Sequence, residues 1–221
     1  MKRVLMLVEG PTEDRFVKDI LRPYLQTRGI TPIPTILTTK KVKSGPDFKG
    51  GVSSFQQVEN DLRRLFHDTN AALITTMFDY YGFPRNFPGW NEVVSRRPHE
   101  RVAELEEAIN RRVNHNRFRA HLMLHEYEAM LFSNPDSIAT VLNAPRAADR
   151  LREIRMQFAD PEEIDDGRDT APSKRLVRLL PEYRKRVHGP LIVDRIGLDR
   201  VRSECPHFNA WVGMLAAIGE D

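Results

Sequence analysis

The residues best placed to do chemistry in this chain are carboxylates that end apolar runs. The run Val4–Val8 stops at Glu9, and the run Ala71–Phe78 stops at Asp79. A third run, Phe118–Leu124, leads into His125 and Glu126, and two more acids, Glu13 and Glu128, lie close by in sequence. Short aliphatic and β-branched runs read as buried strands. Parallel strands bring their carboxyl ends, and these acids with them, to one edge of a sheet. Hard oxygen ligands gathered there suit Mg²⁺ or Mn²⁺, ions held by a few carboxylates together with water and phosphate oxygens. Carboxylates that close repel one another, which makes a cation their natural partner. Such an ion activates water and stabilises the charge developing on a phosphodiester. The spacing therefore predicts Glu9 and Asp79 as catalytic residues and core metal ligands, with Glu13, Glu126 and Glu128 as further ligands. The plainer alternative is that the acids cap helices or pair with arginines. It weighs more on Glu13 and Glu128 than on Glu9 and Asp79, which directly follow buried strands.

Basic residues offer the other half of a phosphodiester site. Lys40, Lys41, Lys43 and Lys49 share one Gly-containing loop over residues 38–52, and Arg111, Arg112, Arg117 and Arg119 gather around the start of the third run. Lys174, Arg175, Arg178, Arg184, Lys185 and Arg186 lie toward the C-terminus. Clusters of this kind form phosphate-binding stripes or simply solvated helix faces. Lys41, Lys43 and Lys49 are candidates to grip a nucleic-acid backbone. Lys174 and Arg175 open a predicted helix that Ser173 can cap, and backbone amides at that end plus two cations would hold a phosphate. Lys174 is also a candidate to stabilise a transition state or protonate a leaving group. The net charge of +3, from 34 basic and 31 acidic residues, adds little to this argument. Tyr80, Tyr81, Phe83, Phe87 and Trp90 either stack on unpaired bases or pack on their own domain.

Other chemistries are poorly served. A single cysteine, Cys205, leaves no internal disulfide and no Cys-rich zinc site. No HExxH or CxxC spacing supports zinc by another route. Cys205 lacks a paired His-Asp constellation and reads as a buried structural thiol. The loop at 38–52 lacks the spacing of a nucleotide phosphate-binding loop, which argues against an ATPase. His125, beside Glu126, is either a metal ligand or acid–base group, or a packed histidine. No run approaches the length of a membrane span, and the first apolar run is too short for a secretory signal. A cytoplasmic location is the expectation.

These acids need elements to position them. Strands are predicted at 3–8, 31–37, 71–78 and 118–124, with Pro32 and Pro34 marking the second as an edge. Helices are predicted at 12–28, 54–68 and 99–115, with Thr12 as the first N-cap and a kink or early end at Pro23. Strand–helix alternation at this spacing argues for a small, mostly parallel sheet flanked by helices, an α/β fold. Beyond about residue 133 only helical patterns remain, best at 136–158, 173–187 and 205–218. The organisation expected is an α/β core over 1–133 and a helical C-terminal extension over 134–221 packed on it. The acidic stretch 160–172 reads as a flexible loop.

The strand running into Glu9-Gly10, and the later strand running into Asp79, resemble the two signature motifs of the Toprim domain. That domain occurs in topoisomerases, primases, small RNA-maturation nucleases and the nuclease domains of overcoming-lysogenization-defect proteins. The segment Glu9-Gly10-Pro11-Thr12-Glu13 is similar to the nuclease branch. More closely, VEGPTEDRFVKDILRP, GGVSSFQQVENDLRRL, TTMFDYYGFPRNFPG, HLMLHEYEAMLFSNP, APSKRL and CPHFNAWV resemble, in order, a bacterial family known as domain of unknown function 4276. The resemblance implies a Toprim-like fold, and the strand-end acids with the basic clusters make a Mg²⁺- or Mn²⁺-dependent nuclease acting on DNA or RNA the leading expectation. The resemblance also suggests a partner ATPase in a phage-defence or mobile-element setting. One departure stands out. The second motif is usually Asp-x-Asp, whereas here it reads Asp79-Tyr80-Tyr81. One ligand must then come from Glu126 or Glu128, or one metal is not bound, or the chain is a non-catalytic regulatory subunit.

Overall fold

The computed structural model describes residues 1–220 apart from 41–47, 50, 96, 165, 166 and 168, with backbone only for residues 39, 40, 48 and 49. Lys41 and Lys43 thus lie outside the described residues, and nothing is said of the Lys49 side chain. The chain divides into two compact units. One is Met1–Leu122 together with the chain from Leu215 onward, and the other is Met123–Met214.

In chain order the first unit contains β1 (Lys2–Val8), α1 (Pro11–Phe16), α2 (Arg22–Gln26), β2 (Ile30–Ile36), β3 (Thr38–Lys40), β4 (Phe48–Lys49), α3 (Phe55–Phe66), β5 (Ala71–Asp79), α4 (Pro98–Val113) and β6 (Phe118–Arg119). The chain leaves it at β7 (Leu122–Met123). The sheet order is β2-β1-β5-β6, with β7 also pairing β5, while β3 and β4 form a separate antiparallel pair. The pairings of β1 with β2 and β5, and of β5 with β6, are all parallel. This is the α/β fold with a small, mostly parallel sheet that the strand–helix alternation predicts. Val4–Val8 and Leu73–Asp79 are buried throughout, as strands in the middle of a parallel sheet must be.

The prolines of β2 are legible in this arrangement. Leu37 donates its N–H to the Val8 carbonyl at 2.9 Å. N–H groups alternate sides along a strand, so the odd-numbered residues face β1 while Pro32 and Pro34 face away from it. An edge strand tolerates the missing donors there. The early end that Pro23 offers as one expectation does not occur. The helix after β1 runs on to Gln26 despite Pro23, because it widens into a π turn over Val17–Leu21, where the Arg22 N–H reaches the Val17 carbonyl. That register change removes the i→i−4 bond that proline would break. The helix also starts earlier than predicted. Gly10 is the N-cap and Pro11 the first helical residue, so Thr12 lies inside the first turn.

The fourth strand breaks into β6 and β7, and side chains take over its backbone bonds. The Ala120 N–H donates to Asn110 Oδ1 at 2.7 Å and the Leu122 N–H to Glu106 Oε1 at 2.7 Å. The Thr76 hydroxyl accepts from the His121 N–H and donates to its carbonyl, both at 2.8 Å. Buried backbone polar groups are therefore satisfied without a ladder.

The second unit is helical. After β7 comes a buried 3-10 helix, Tyr127–Ser133, then α5 (Pro135–Val141), α6 (Ala148–Met156), α7 (Pro172–Leu179), α8 (Lys185–Ile196), α9 (Leu198–Glu204) and α10 (Pro206–Ala217), which passes back into the first unit at Leu215. Two predicted helices are each split in two. Asn143 adopts φ 49°, a left-handed conformation that asparagine tolerates, and it separates α5 from α6. Leu180, held extended by the following Pro181, ends α7 before α8 begins. Within 160–172, a 3-10 turn spans Pro161–Glu163. It buries Glu162, whose carboxylate accepts the N–H groups of His207 and Phe208 at 2.8 and 3.0 Å in the first turn of α10. Burial, acting first, pushes the Glu162 carboxyl above its ordinary range despite those two donors.

The chain's return closes the first unit. Lys2 Nζ donates to the Ile218 carbonyl at 2.7 Å. The Gly219 backbone comes so close to the Arg28 carbonyl that a Cβ has no room. No helix among the described residues is long and apolar enough to cross a membrane.

Candidate functional site

The strand order places Glu9 and Asp79 together. β1 and β5 are parallel neighbours with Val8 opposite Met77, so the residues that end them meet at one edge of the sheet. Glu9 donates its backbone N–H to the Met77 carbonyl at 3.2 Å, and the Asp79 N–H donates to Glu9 Oε2 at 3.0 Å. The Glu9 carboxylate is thereby fixed across the two strand ends. Glu9 is half-buried and Asp79 is buried. Glu13, buried in the first turn of α1, follows within one helical turn of Gly10. A carboxylate suits that N-terminal turn electrostatically. Three carboxylates thus belong to the strand-end region of one unit. Acids drawn out of water favour either protonation or a positive partner such as a hard divalent cation, although among the described residues the oxygens of these three do not all lie within 4.8 Å of one another.

Position 81 supplies no second acid. Tyr81 is half-buried, and Tyr80 is buried against Trp90, with ring centroids 6.2 Å apart. The aromatic loop packs on its own unit: Phe87 lies 4.0 Å from Phe83 and 5.2 Å from Phe55 between ring centroids. Gly89 shows why that loop can close on α4. Its φ is 82°, and a Cβ added there would lie 2.5 Å from the Ala108 Cβ. Gly89→Ala is expected to cost about 2–4 kcal/mol, combining a left-handed non-glycine residue with overpacking. Chemical denaturation of the variant beside wild type measures this, and a loss below 1 kcal/mol would remove the packing argument.

The remaining predicted acids lie in the second unit, each with a partner. The Glu126 carboxylate accepts the Ser173 N–H at 2.8 Å and its hydroxyl at 2.9 Å. Ser173 therefore donates to an acid rather than capping its own helix, whose N-cap is Ala171. The amide expected to meet a phosphate at the start of α7 already meets Glu126. Lys174 is exposed on the next residue. Arg175 donates to the Thr170 carbonyl and lies 5.4 Å over the Phe158 ring. Glu128 is buried, with Lys185 Nζ 3.1 Å from Oε2 and the Tyr183 hydroxyl donating to Oε1 at 3.3 Å. Burial and then the Glu128 charge push the Tyr183 hydroxyl far above its ordinary range. Sequence reasoning places Lys185 among phosphate-binding cations and gives Tyr183 no role. No local signal links either residue to an acid 55 or 57 positions earlier.

Several other sequence candidates are engaged within the fold. Arg111 pairs with Glu107 and Arg112 with Glu59. Arg117 donates to the carbonyls of Phe66, Asp68 and Ala71. His125 is buried at φ 61°. Cys205 is buried 3.4 Å from the Ser133 hydroxyl, and burial, followed by the Glu162 charge, holds its thiol well above the ordinary range. It is the inert thiol that the sequence predicts.

No curated protein matches the chain. Among solved structures it is similar to the C-terminal region of the OLD protein of Xanthomonas campestris pv. campestris, solved more than once. The form phased with iodine is 16% identical, with a TM-score of 0.41 and 97% of each chain covered. The form phased with platinum is 16% identical, with a TM-score of 0.43 and coverage of 96% of this chain and 95% of that one. A family model matches residues 8–216, and the chain belongs to the family that this model defines, described as domain of unknown function (DUF4276).

Proposed function

We propose that this protein is a Mg²⁺- or Mn²⁺-dependent phosphodiesterase that cuts DNA or RNA at the strand ends of its first unit. The observation that carries this reading is the hydrogen bond from the Asp79 N–H to the Glu9 carboxylate, which locks two acids together at adjacent parallel strand termini. Open α/β sheets use that edge for ligands and chemistry. Glu9, Asp79 and Glu13 would hold the cation. When bound, it supplies an activated water and neutralises charge building on the phosphate. The protein's own part is to fix those carboxylates: β1 and β5 hold Glu9 and Asp79 by their backbones, and α1 presents Glu13. Lys174 and Arg175 are the proposed phosphate contacts, with Lys174 assisting the leaving group, and Lys41, Lys43 and Lys49 the backbone grip. Glu126 or Glu128 is proposed to replace the acid that Tyr81 lacks; Glu126 accepts two hydrogen bonds from Ser173, and Glu128 is paired with Lys185.

Tyr81 itself favours a second reading, a non-catalytic subunit that works with a partner ATPase. The deciding experiment incubates the protein with labelled single- and double-stranded DNA and RNA in Mn²⁺, Mg²⁺ or EDTA. Cutting with a metal and none in EDTA is the expected result. Intact substrates in every metal, with no Mn²⁺ taken up by the protein, would leave the second reading standing.

A further inference from the structure

The loop that follows Asp79 does more than cover α4. Together they form an open cavity of about 260 Å³ whose lining includes Tyr80, Trp90, Val93, Ser95, Arg101 and Leu105. That is below the size of pockets for drug-sized ligands and suits one flat ring system. We propose that it receives a single unpaired base of a nucleic-acid strand, beside the acidic site. The inference rests on the nuclease reading and adds the form of its substrate.

Three features point to a base. The first is the ring surface. Tyr80 and Trp90 are tilted by 34° with centroids 6.2 Å apart. That is less than two carbon–carbon contact distances of about 3.5 Å, so a base lies against Trp90 rather than between the rings. Every base has a face for such stacking. The second is the cation. Arg101 Nε donates to the Ser95 carbonyl at 3.1 Å, which holds a planar guanidinium at the cavity. Guanidinium groups stack on rings and donate to base acceptors. The third is preorganisation. The Ser95 hydroxyl donates to Glu100 at 2.6 Å and the Val94 N–H to Glu104 at 3.1 Å, which straps the loop to α4 and lowers the ordering cost of binding. Tyr80 is bonded to Asp79, about 3.8 Å from it between Cα atoms. A base held here therefore lies on the loop that leaves the end of β5.

The test is fluorescence polarisation of end-labelled ten-nucleotide strands with the whole protein in EDTA, so that no cleavage intervenes. Single-stranded DNA and RNA are compared with an abasic strand and with a duplex of equal length. The abasic strand and the duplex are expected to bind on the order of tenfold more weakly than the better single strand, which also identifies the sugar. Trp90→Ala is expected to weaken binding by a similar factor, Trp90→Phe to retain it, and Arg101→Gln, which leaves both rings in place, to weaken it several-fold. Equal binding of abasic and normal strands, or Trp90→Ala matching Trp90→Phe, overturns the inference. The two readings fail separately. Base-dependent binding by the wild-type protein with no cleavage in Mn²⁺ or Mg²⁺ counts only against the nuclease. Cleavage that proceeds without base-dependent binding counts only against the cavity.

Discussion

Glutamine at position 9 is expected to leave the protein folded while lowering metal-dependent cleavage by about two to three orders of magnitude, the scale seen when one preorganised electrostatic group is removed. The substitution keeps the shape of the side chain. The amide oxygen can still accept the Asp79 N–H that Glu9 accepts at 3.0 Å, so the two strand ends stay joined. What disappears is one negative charge among three neighbouring acids. In EDTA this relieves repulsion, and stability should be unchanged or higher. In saturating Mn²⁺ the order reverses. Wild type gains the free energy of metal binding, about 2.7 kcal/mol at a hundred times the dissociation constant, and the variant gains little. Thermal melts in EDTA and in Mn²⁺, run beside cleavage assays, give both numbers from one preparation. A variant that cuts like wild type, or that Mn²⁺ stabilises equally, would remove Glu9 from the site.

The second large effect belongs to the helical unit. Lys185→Met is expected to destabilise the protein by about 3 kcal/mol, because it removes the cation that faces the Glu128 carboxylate in a site that is 1% exposed. The lysine end of the pair is 35% exposed and keeps some contact with water, so the value sits at the low end for a broken buried pair. The Tyr183 hydroxyl cannot compensate: it donates one neutral hydrogen bond and no charge. Replacing both partners, as Glu128→Gln with Lys185→Met, should recover most of the loss, since an uncharged pair carries no ionic desolvation cost. Urea denaturation of the two single variants and the double variant closes the cycle. A single-variant loss under 1 kcal/mol would show that water reaches Glu128.

These two cases show what was legible in sequence. Glu9 and Asp79 announce themselves because each ends a buried run, and parallel pairing of neighbouring strands then brings them together without further information. The edge position of β2 was equally readable from Pro32 and Pro34. The π turn ahead of Pro23 was not, because a proline in a helical pattern signals a break, and nothing local says that the preceding turn widens. The partners of Glu126 and Glu128 were invisible for another reason. Ser173, Tyr183 and Lys185 are distant in sequence and belong to patterns that a solvated helix would also show. The splits at Asn143 and Leu180 lay in between. Asparagine tolerates left-handed backbone and Pro181 restricts its predecessor, but hydrophobic periodicity ran through both positions and masked them.

The hydrogen bond from Lys2 to Ile218 has a consequence for biosynthesis. The sheet unit begins at β1 but is completed by the segment from Leu215 onward. Between Leu122 and Leu215 the whole helical unit must be translated. At about 5–20 residues per second that is a wait of roughly five to twenty seconds. During that interval the nascent sheet carries its acids without the C-terminal segment that seals the start of β1. Any chaperone that attends this protein therefore has a defined window in which to act.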